Sequence, residues 1–202
     1  MKVALIGATG RAGSPILQEL TRRGHEVTAI VRNPEKVQAQ ANVTPKKGEV
    51  LNKDDLTALL KGHDVVISAV HFLQSDPKTL IDAVKASGAK RYLVVGGAGS
   101  LEVAPGVTLV STPEFPAAYK DEATKGGEFL KLLQQEKELD WTFLSPSALF
   151  VEGPRTGTFR LGKDQLLTNE KGSSISFEDY AIALVDEVEK PAHSRQRFTV
   201  GY

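Results

Sequence analysis

Glycines and arginines near the start of the chain are the residues whose types and spacing suggest chemistry. Glycine recurs at intervals of three: Gly7, Gly10 and Gly13. The apolar run at residues 3–6 precedes them and is typical of a strand buried on both faces. Ser14 and Pro15 follow and predict a helix with Ser14 as its N-cap. This order places free N–H groups and a positive helix end beside the turn, which suits a pyrophosphate. A merely tight turn would explain the glycines as well.

The second predicted strand, at residues 27–31, bears on which cofactor would fit. It follows the glycine turn within about thirty residues, which is the context that a dinucleotide site requires. An acidic residue about twenty positions beyond the glycines would hold a ribose 2′-hydroxyl, whereas an arginine would accept a 2′-phosphate. Arg32 occupies this position, and Arg11 lies within the glycine turn. Two guanidinium groups favour NADP(H) over NAD(H), unless both arginines are ordinary solvated side chains.

The elements that must position these residues alternate along the chain. Strands are predicted at residues 3–6, 25–31, 42–47, 64–70, 91–95, 141–144 and 197–200, with short strands at 157–160 and 165–168. Helices are predicted at residues 14–23, 34–40, 52–60, 78–87, 119–138 and 177–190. Alternation of this kind predicts an α/β fold, a doubly wound parallel sheet of the Rossmann type. We expect one domain over residues 1–202, with a small substrate-side portion at 149–176, and a long, mobile loop at 101–118 acting as a lid.

The predicted strand ends supply the other candidates for cofactor contact. Ligands of open parallel sheets bind at the carboxyl ends of the strands, where the strand order reverses. Residues at the end of the fourth strand or just after the third and fifth strands are therefore candidate neighbours of the cofactor: Glu49, Val50, Ser68, Ala69, Val70 and Gly97. They would equally be found there as plain strand ends.

Composition restricts the classes of protein that this chain could represent. The chain has 202 residues, no cysteine and a formal net charge of zero. The lack of cysteine excludes disulfides, thiol catalysis and thiolate metal sites, and balanced charge gives no electrostatic reason to expect nucleic acid or an anionic membrane as partner. No apolar run approaches membrane-spanning length, and the first one is too short for a signal peptide. We expect a soluble cytoplasmic monomer or homodimer that binds a small molecule.

Other catalytic patterns are weak. The four histidines, His25, His63, His71 and His193, are scattered without metal-ligand spacing, so we expect them to be structural or solvated and expect no metal. Ser100, after the fifth strand, would either orient a substrate or cap its own backbone.

Several segments together carry a resemblance to a known family. They are GATGRAG at 7–13, VTAIVRN at 27–33, LVVGGAGS at 93–100, WTFLSPSALF at 141–150, RTGTF at 155–159 and SFEDYAIALVDEVE at 176–189. In these segments the chain resembles the atypical short-chain dehydrogenase/reductases of the NmrA-like NAD(P)-binding family. Similar members are the bacterial candidate NADH-flavin reductases and, more distantly, the flavin reductase biliverdin reductase B. The resemblance spans nearly the whole chain.

The resemblance implies a nicotinamide cofactor and assigns residues to it. The implied contacts are Gly7, Thr9, Gly10, Arg11, Ala12, Gly13 and Arg32, with the adenine near Glu49 and Val50 and the nicotinamide near Pro146, Ser147 and Ala148. The larger superfamily uses a Tyr-x-x-x-Lys pair, in which tyrosine donates a proton and lysine binds the ribose. Here Lys125 stands at the lysine position, but Asp121 replaces the tyrosine, and the nearest tyrosine, Tyr119, is on a different helical face.

Three functions follow as hypotheses. The first is an NADPH-dependent reductase that passes hydride to a flavin or a similar flat acceptor, because binding and orientation are most of what such a reaction needs from the protein. Its candidate catalytic residues are Ser100, Tyr119 and Lys125. The second is a non-catalytic NADP(H)-binding sensor, which the replaced tyrosine allows. The third is sugar epimerase or dehydratase chemistry, which the same replacement disfavours because that chemistry needs a positioned acid/base.

Overall fold

The computed structural model describes residues 1–202 as twelve strands and five α-helices. The strands are β1 (Lys2–Ile6), β2 (Glu26–Val31), β3 (Val43–Lys47), β4 (Val65–Ser68), β5 (Arg91–Val95), β6 (Glu102–Ala104), β7 (Val107–Thr108), β8 (Asp140–Ser145), β9 (Leu149–Val151), β10 (Arg160–Gly162), β11 (Ser174–Ser176) and β12 (Gln196–Gly201). The helices are α1 (Gly13–Arg22), α2 (Lys53–Leu60), α3 (Pro77–Ser87), α4 (Ala117–Gln135) and α5 (Phe177–Glu189). None of these helices is long and apolar enough to cross a membrane.

Eight of the strands form one sheet in the order β3-β2-β1-β4-β5-β8-β12-β10. All neighbours run parallel except the last pair, where β10 is antiparallel to β12. The chain winds outward from β1 to β3 and then crosses back to β4 on the other side of β1. The strand order therefore reverses between β1 and β4, and a crevice opens at their carboxyl ends. The predicted doubly wound α/β sheet is confirmed.

Helices cover both faces of this sheet, which explains the short, continuous apolar strands. One core cluster packs α1 and α5 on one face, with Leu20 and Tyr180 among its members. The other packs α2, α3 and α4 on the opposite face, with Leu56, Leu80 and Phe129. Because both faces are buried, the central strands need apolar residues at successive positions rather than at alternate ones.

The start of α1 differs from the prediction. The helix begins at Gly13 with Ala12 at the N-cap, and no side chain caps it. Ser14 lies inside the first turn, where its N–H donates to the Gly10 carbonyl at 2.9 Å. The predicted role of Ser14 as N-cap is therefore wrong, because the glycine turn allows the helix to start earlier than the capping pattern suggests.

Three further segments depart from the prediction. The predicted helix at 34–40 is a single 3-10 turn, Pro34–Lys36. The predicted loop at 101–118 contains the hairpin formed by β6 and β7 and a 3-10 turn, Leu109–Ser111. The short strands predicted at 157–160 and 165–168 are replaced by β9, β10 and β11, whose pairing partners lie far away in the chain. Local sequence therefore could not place them.

Candidate cofactor and active site

Two glycines of the turn after β1 are required by the packing of the protein itself. Gly7 has a φ of +83°, and a Cβ built on it would lie 2.3 Å from the Ala69 carbonyl oxygen. A Cβ on Gly13 would lie 1.9 Å from the Gly7 carbonyl oxygen. These contacts bring the loop after β4 and the start of α1 against the turn, so side chains are excluded at both positions.

Gly10 is different, because the protein leaves room there. A Cβ on Gly10 would lie 3.4 Å from its nearest neighbour, the Gly7 carbonyl oxygen, and the residue lines an open cleft. The second glycine of a dinucleotide turn is the one that lets the backbone approach a pyrophosphate. The space in front of Gly10 is therefore available to a ligand.

The end of α1 at this turn is free to bind an anion. The N–H groups of Thr9, Arg11, Ala12 and Gly13 donate to no acceptor within the protein, and the first turn of α1 contains no acidic residue. Three of the other four α-helices have a side-chain cap: Asn52, Asp76 and Ser176 accept backbone N–H groups at the starts of α2, α3 and α5, whereas α4 follows Pro116 without one. The donors and the positive dipole at α1 thus lack an internal partner, and they fit a diphosphate group.

Two guanidinium groups near the turn are also available. Arg32 immediately follows β2, whose Ile30 pairs with Ile6 of β1 just before the glycine turn. Arg11 lies over the Phe177 ring, 5.5 Å from its centroid. The arginine–carboxylate ion pairs of the protein involve other arginines. Both side chains are exposed, so neither is neutralised by the protein.

A cleft of about 740 Å³ opens in front of the turn, along the carboxyl ends of β4, β5 and β8. It is lined by residues 10–12, 69–72, 95–99 and 146–150, with parts of 109–123 and 173–177, and about half of its lining is hydrophobic. A smaller, more polar hollow of about 440 Å³ lies at the opposite edge of the sheet, around Lys61 and His63. The larger cleft is the candidate site because it adjoins the free helix end and the strand-order reversal.

Ten of the predicted site residues line this cleft: Gly10, Arg11, Ala12, Ala69, Val70, Gly97, Tyr119, Pro146, Ser147 and Ala148. Nine others do not: Gly7, Thr9, Gly13, Arg32, Glu49, Val50, Ser68, Ser100 and Lys125. Gly7, Thr9 and Gly13 belong to the turn itself, and Glu49 and Val50 follow β3 as predicted. Within the cleft, the Ser147 hydroxyl is buried and donates to the Val200 carbonyl at 2.9 Å.

The hydroxyl groups of two predicted site residues, Ser68 and Ser100, form hydrogen bonds with other side chains of the protein. The Ser68 hydroxyl is buried against the Tyr92 hydroxyl at 2.8 Å, and burial raises the pKa of Tyr92 above its usual range. The Ser100 hydroxyl accepts from the Arg197 guanidinium at 2.9 Å. Neither hydroxyl faces the cleft.

The predicted catalytic residues are not brought together in this cleft. Tyr119 is on its rim and is 66% exposed. Lys125 lies outside the cleft, where it forms an exposed ion pair with Glu128 at 2.9 Å, and this hydrogen bond raises the pKa of Lys125. Asp121 is exposed and also outside the cleft. The catalytic roles of Ser100, Tyr119 and Lys125 remain predictions.

Sequence reasoning missed a cluster on the wall of the cleft, where the loop after β4 meets α4. The Glu122 carboxylate accepts from the N–H groups of Phe72 and Leu73 at 2.8 and 2.9 Å. It also lies 3.3 Å from His71 Nδ1. The Phe72 ring packs on α4 at Gly126, where a Cβ would lie 2.7 Å from it. His71 could have been found from its position, because it follows a predicted strand at the ligand-binding edge.

The outer wall of the cleft is aromatic, with Phe115, Tyr119, Phe150 and Phe177 among its residues. Phe150 and Phe177 pack edge to face, with ring centroids 4.5 Å apart. Phe150 belongs to β9, which pairs with β11 outside the main sheet. The rings offer flat apolar surfaces for an aromatic ligand.

A buried carboxylate holds the segment behind this wall. Asp179 of α5 accepts from the N–H groups of Thr156 and Gly157, both at 2.8 Å, and from the hydroxyls of Thr156 and Tyr202. Burial alone would raise the pKa of Asp179, but these hydrogen bonds outweigh burial and lower it. Arg155 also forms two hydrogen bonds with Glu19 of α1. The segment is thus fixed to both helices on one face of the sheet.

Known proteins share the fold and much of the sequence of this chain. Structures that resemble this chain over its whole length include a candidate epimerase from Bacteroides thetaiotaomicron, at 46% identity, TM-score 0.95 and 96% coverage of that protein. A candidate NADH-flavin reductase from Streptococcus pneumoniae is 42% identical, with a TM-score of 0.81 and 99% coverage. The uncharacterised protein YwnB of Bacillus subtilis is 48% identical over 99% of this chain and 98% of its own length.

The match to a family is equally extensive. The sequence profile described as NAD(P)H-binding matches residues 7–191, from the first glycine of the turn to just beyond α5. The matched region includes the free end of α1, the carboxyl ends of β4, β5 and β8, and the aromatic wall. This chain belongs to the NAD(P)H-binding family.

Proposed function

We propose that this protein is an NADPH-dependent reductase that passes hydride to a flavin or a similar flat acceptor. The observation that carries the proposal is the continuity of the cleft. One end is the uncapped start of α1, which fits a diphosphate, and the other end is the aromatic wall, which fits a planar ring. The family match and the name of the pneumococcal relative support the oxidoreductase class.

The preference for NADPH rests on Arg11 and Arg32. Arg11 lies within the glycine turn and Arg32 directly follows β2, which pairs with β1 beside that turn. Neither guanidinium forms an ion pair with a carboxylate of the protein. A 2′-phosphate carries the charge and the acceptor oxygens that a guanidinium binds best. No carboxylate takes the place of Arg32, as it would in a site selective for a free ribose hydroxyl.

In this proposal the chain binds the cofactor and the acceptor, orients their rings against each other and excludes water from between them. The N–H groups of residues 11–13 hold the diphosphate, and Pro146, Ser147 and Ala148 at the end of β8 form the floor for the nicotinamide, which supplies the hydride when it is bound. Residues 149–176 form the substrate side, with Phe150 and the neighbouring Phe177 of α5 against the plane of the acceptor. Holding two flat rings in contact accounts for most of the catalysis that such a transfer requires.

A non-catalytic NADP(H) sensor is the second candidate, and one observation favours it. The position that would carry the proton-donating tyrosine holds Asp121, which is exposed and outside the cleft. The same observation weighs against the epimerase activity suggested by the name of the Bacteroides relative, because epimerisation needs a positioned acid/base.

The experiment mixes purified protein with NADPH or NADH and, separately, FMN, FAD, riboflavin, a quinone and a linear tetrapyrrole, and follows the absorbance of reduced nicotinamide. We expect turnover, faster at low concentration with NADPH than with NADH. Tight NADPH binding without turnover on any acceptor would favour the sensor. Equal affinity for both nucleotides would contradict the proposed preference for NADPH.

A further inference from the structure

An acceptor that gains a hydride can also take up a proton, and the helix position that carries a proton-donating tyrosine in the larger superfamily holds Asp121 here, outside the cleft. Hydride transfer adds an electron pair to the acceptor, so a negatively charged atom develops that a nearby acid can neutralise. From α4, the residues that line the cleft are Tyr119, Glu122 and Ala123. Of these, only Glu122 is bonded to a second titratable side chain in the cleft, His71.

His71 lies on the wall of the cleft, within reach of a ligand bound there. It follows β4 on the wall of the cleft, and its side chain is 75% exposed. Its backbone is fixed, because its carbonyl accepts from the Gln74 N–H at 3.1 Å and from the Ser75 hydroxyl at 2.9 Å. Nδ1 lies 3.3 Å from Glu122 Oε1, and Nε2 has no partner within the protein. A histidine in this arrangement can exchange protons with solvent and with a ligand in the cleft.

Glu122 is itself held in place. Each of its carboxylate oxygens accepts a backbone N–H, from Phe72 at 2.8 Å and from Leu73 at 2.9 Å. The Phe72 ring is buried, packed edge to face on Phe129 and stacked on Phe143. A carboxylate fixed in this way holds the imidazole with a proton on Nδ1, which leaves Nε2 as the nitrogen that can pass a proton to a ligand.

We propose that His71 donates the proton that accompanies hydride transfer and that Glu122 is its positioning residue. The inference rests on the reductase function proposed above. The hydride leaves the reduced nicotinamide with its bonding electron pair and forms a bond to the acceptor. The proton on Nε2 of the imidazolium moves to the acceptor atom that gained negative charge. NADPH, acceptor and one proton thus give NADP⁺ and reduced acceptor, and solvent returns a proton to Nε2.

The kinetic test compares the unmodified protein with His71→Asn, Glu122→Gln and, as a matched control, Asp121→Asn, which changes an exposed α4 residue outside the cleft. The acceptor is the one that gives the highest turnover. We expect His71→Asn to lower kcat on the order of 100-fold, with an unchanged dissociation constant for NADPH. Glu122→Gln should lower kcat by a smaller factor, and Asp121→Asn should leave it unchanged.

A second readout does not depend on turnover. In ¹⁵N NMR of the imidazole with NADP⁺ bound, we expect the proton of neutral His71 on Nδ1, and we expect Glu122→Gln to produce a mixture of tautomers. A proton on Nε2, or a kcat for His71→Asn within twofold of the unmodified protein, would overturn the inference and leave the reductase function intact. Absence of turnover by the unmodified protein would overturn the reductase function and this inference together.

Discussion

At the scale of single residues, the candidate site contains glycines that the packing of the protein requires and others that it does not. Gly7 and Gly13 are closed by backbone contacts, whereas Gly10 faces the cleft with room for a methyl group. Neither Arg11 nor Arg32 forms an ion pair with a carboxylate of the protein. Positions without packing or ion-pair constraints are the ones where function is best tested.

Gly10→Ala is expected to weaken ligand binding with little effect on stability, whereas Gly13→Ala is expected to destabilise the fold. The alanine at position 10 should change the free energy of unfolding by less than about 0.5 kcal/mol and weaken NADPH binding more than tenfold, because its methyl group occupies the space of the diphosphate. The alanine at position 13 should cost about 1–3 kcal/mol of stability through overpacking. Chemical denaturation and nucleotide titration measure the two quantities. Unchanged NADPH affinity in Gly10→Ala would remove the turn from the site.

Arg32→Asp is expected to weaken NADPH binding by about 1.5–3 kcal/mol, the value of a hydrogen bond to a charged group, and to affect NADH binding far less. Titration with each nucleotide, followed by fluorescence or calorimetry, measures the difference. Arg22→Ala is the control, since Arg22 is an exposed residue at the far end of α1. A loss of the same size for both nucleotides would show that Arg32 does not contact the 2′-phosphate.

At the scale of elements, α4 and the loop after β4 form the wall of the cleft through a close approach at one glycine. The adjacent glycines of α4 look equivalent in sequence, but only Gly126 contacts the Phe72 ring at a distance that excludes a Cβ. A Cβ on Gly127 would lie 3.8 Å from its nearest neighbour, the Cβ of Ser100. The two positions therefore differ in packing and share only their low helix propensity.

Gly127→Ala should stabilise the protein by about 0.4–1 kcal/mol, because alanine lowers the entropy of the unfolded chain without a clash. Gly126→Ala should instead destabilise it by about 1–3 kcal/mol, since the Phe72 ring must move. Urea unfolding of both variants against the unmodified protein gives the comparison. Equal stabilisation by both alanines would show that Phe72 does not pack on α4 as described.

At the scale of the whole molecule, charged groups fix the substrate-side segment to the rest of the protein. Asp179 joins α5, residues 156–157 and the C-terminal Tyr202. Glu19 of α1 is buried between Arg23 and Arg155, and their hydrogen bonds outweigh burial and lower its pKa. Arg23 extends this network to Asp186 and Glu189 of α5. The position of the segment behind the aromatic wall therefore depends on carboxylates that must stay ionised.

The lowered pKa of Asp179 predicts how stability depends on pH. A carboxyl group whose pKa is lower in the folded state stabilises the protein above its unfolded pKa, about 3.9, and this contribution is lost as pH falls through the folded pKa. We expect Asp179→Asn to lower the free energy of unfolding at pH 7 by about 2–4 kcal/mol, and the difference from the unmodified protein to shrink below about pH 4.

Thermal or chemical unfolding between roughly pH 3 and pH 7 measures this dependence, because that range includes the ordinary pKa of an aspartate. Glu170→Gln is the control, because Glu170 is exposed and forms no ion pair. A difference between Asp179→Asn and the unmodified protein that stayed constant over the whole range would contradict the assignment of an ionised Asp179.

The sequence by itself determined the order of strands and helices and hence the place of the candidate site. Burial on both faces of the strands, glycine turns and helix periodicity are local properties, so β1, β2, β4, β5 and β8 could be located from short windows. Their order predicts the crevice beside Gly10 and the arginines that flank it. The NAD(P)H-binding family follows from the same stretches.

Only the tertiary structure decided which side chains from distant parts of the chain meet on the wall of the cleft. His71 and Glu122 are 51 residues apart and meet only because α4 docks on the loop after β4. The strands β9, β10 and β11 were misplaced for the same reason, since each forms through a partner distant in the chain. Helix and strand formation is governed by near neighbours, whereas the packing of remote segments depends on the whole fold. The predicted cofactor turn was therefore within reach of sequence, and the proposed proton donor was not.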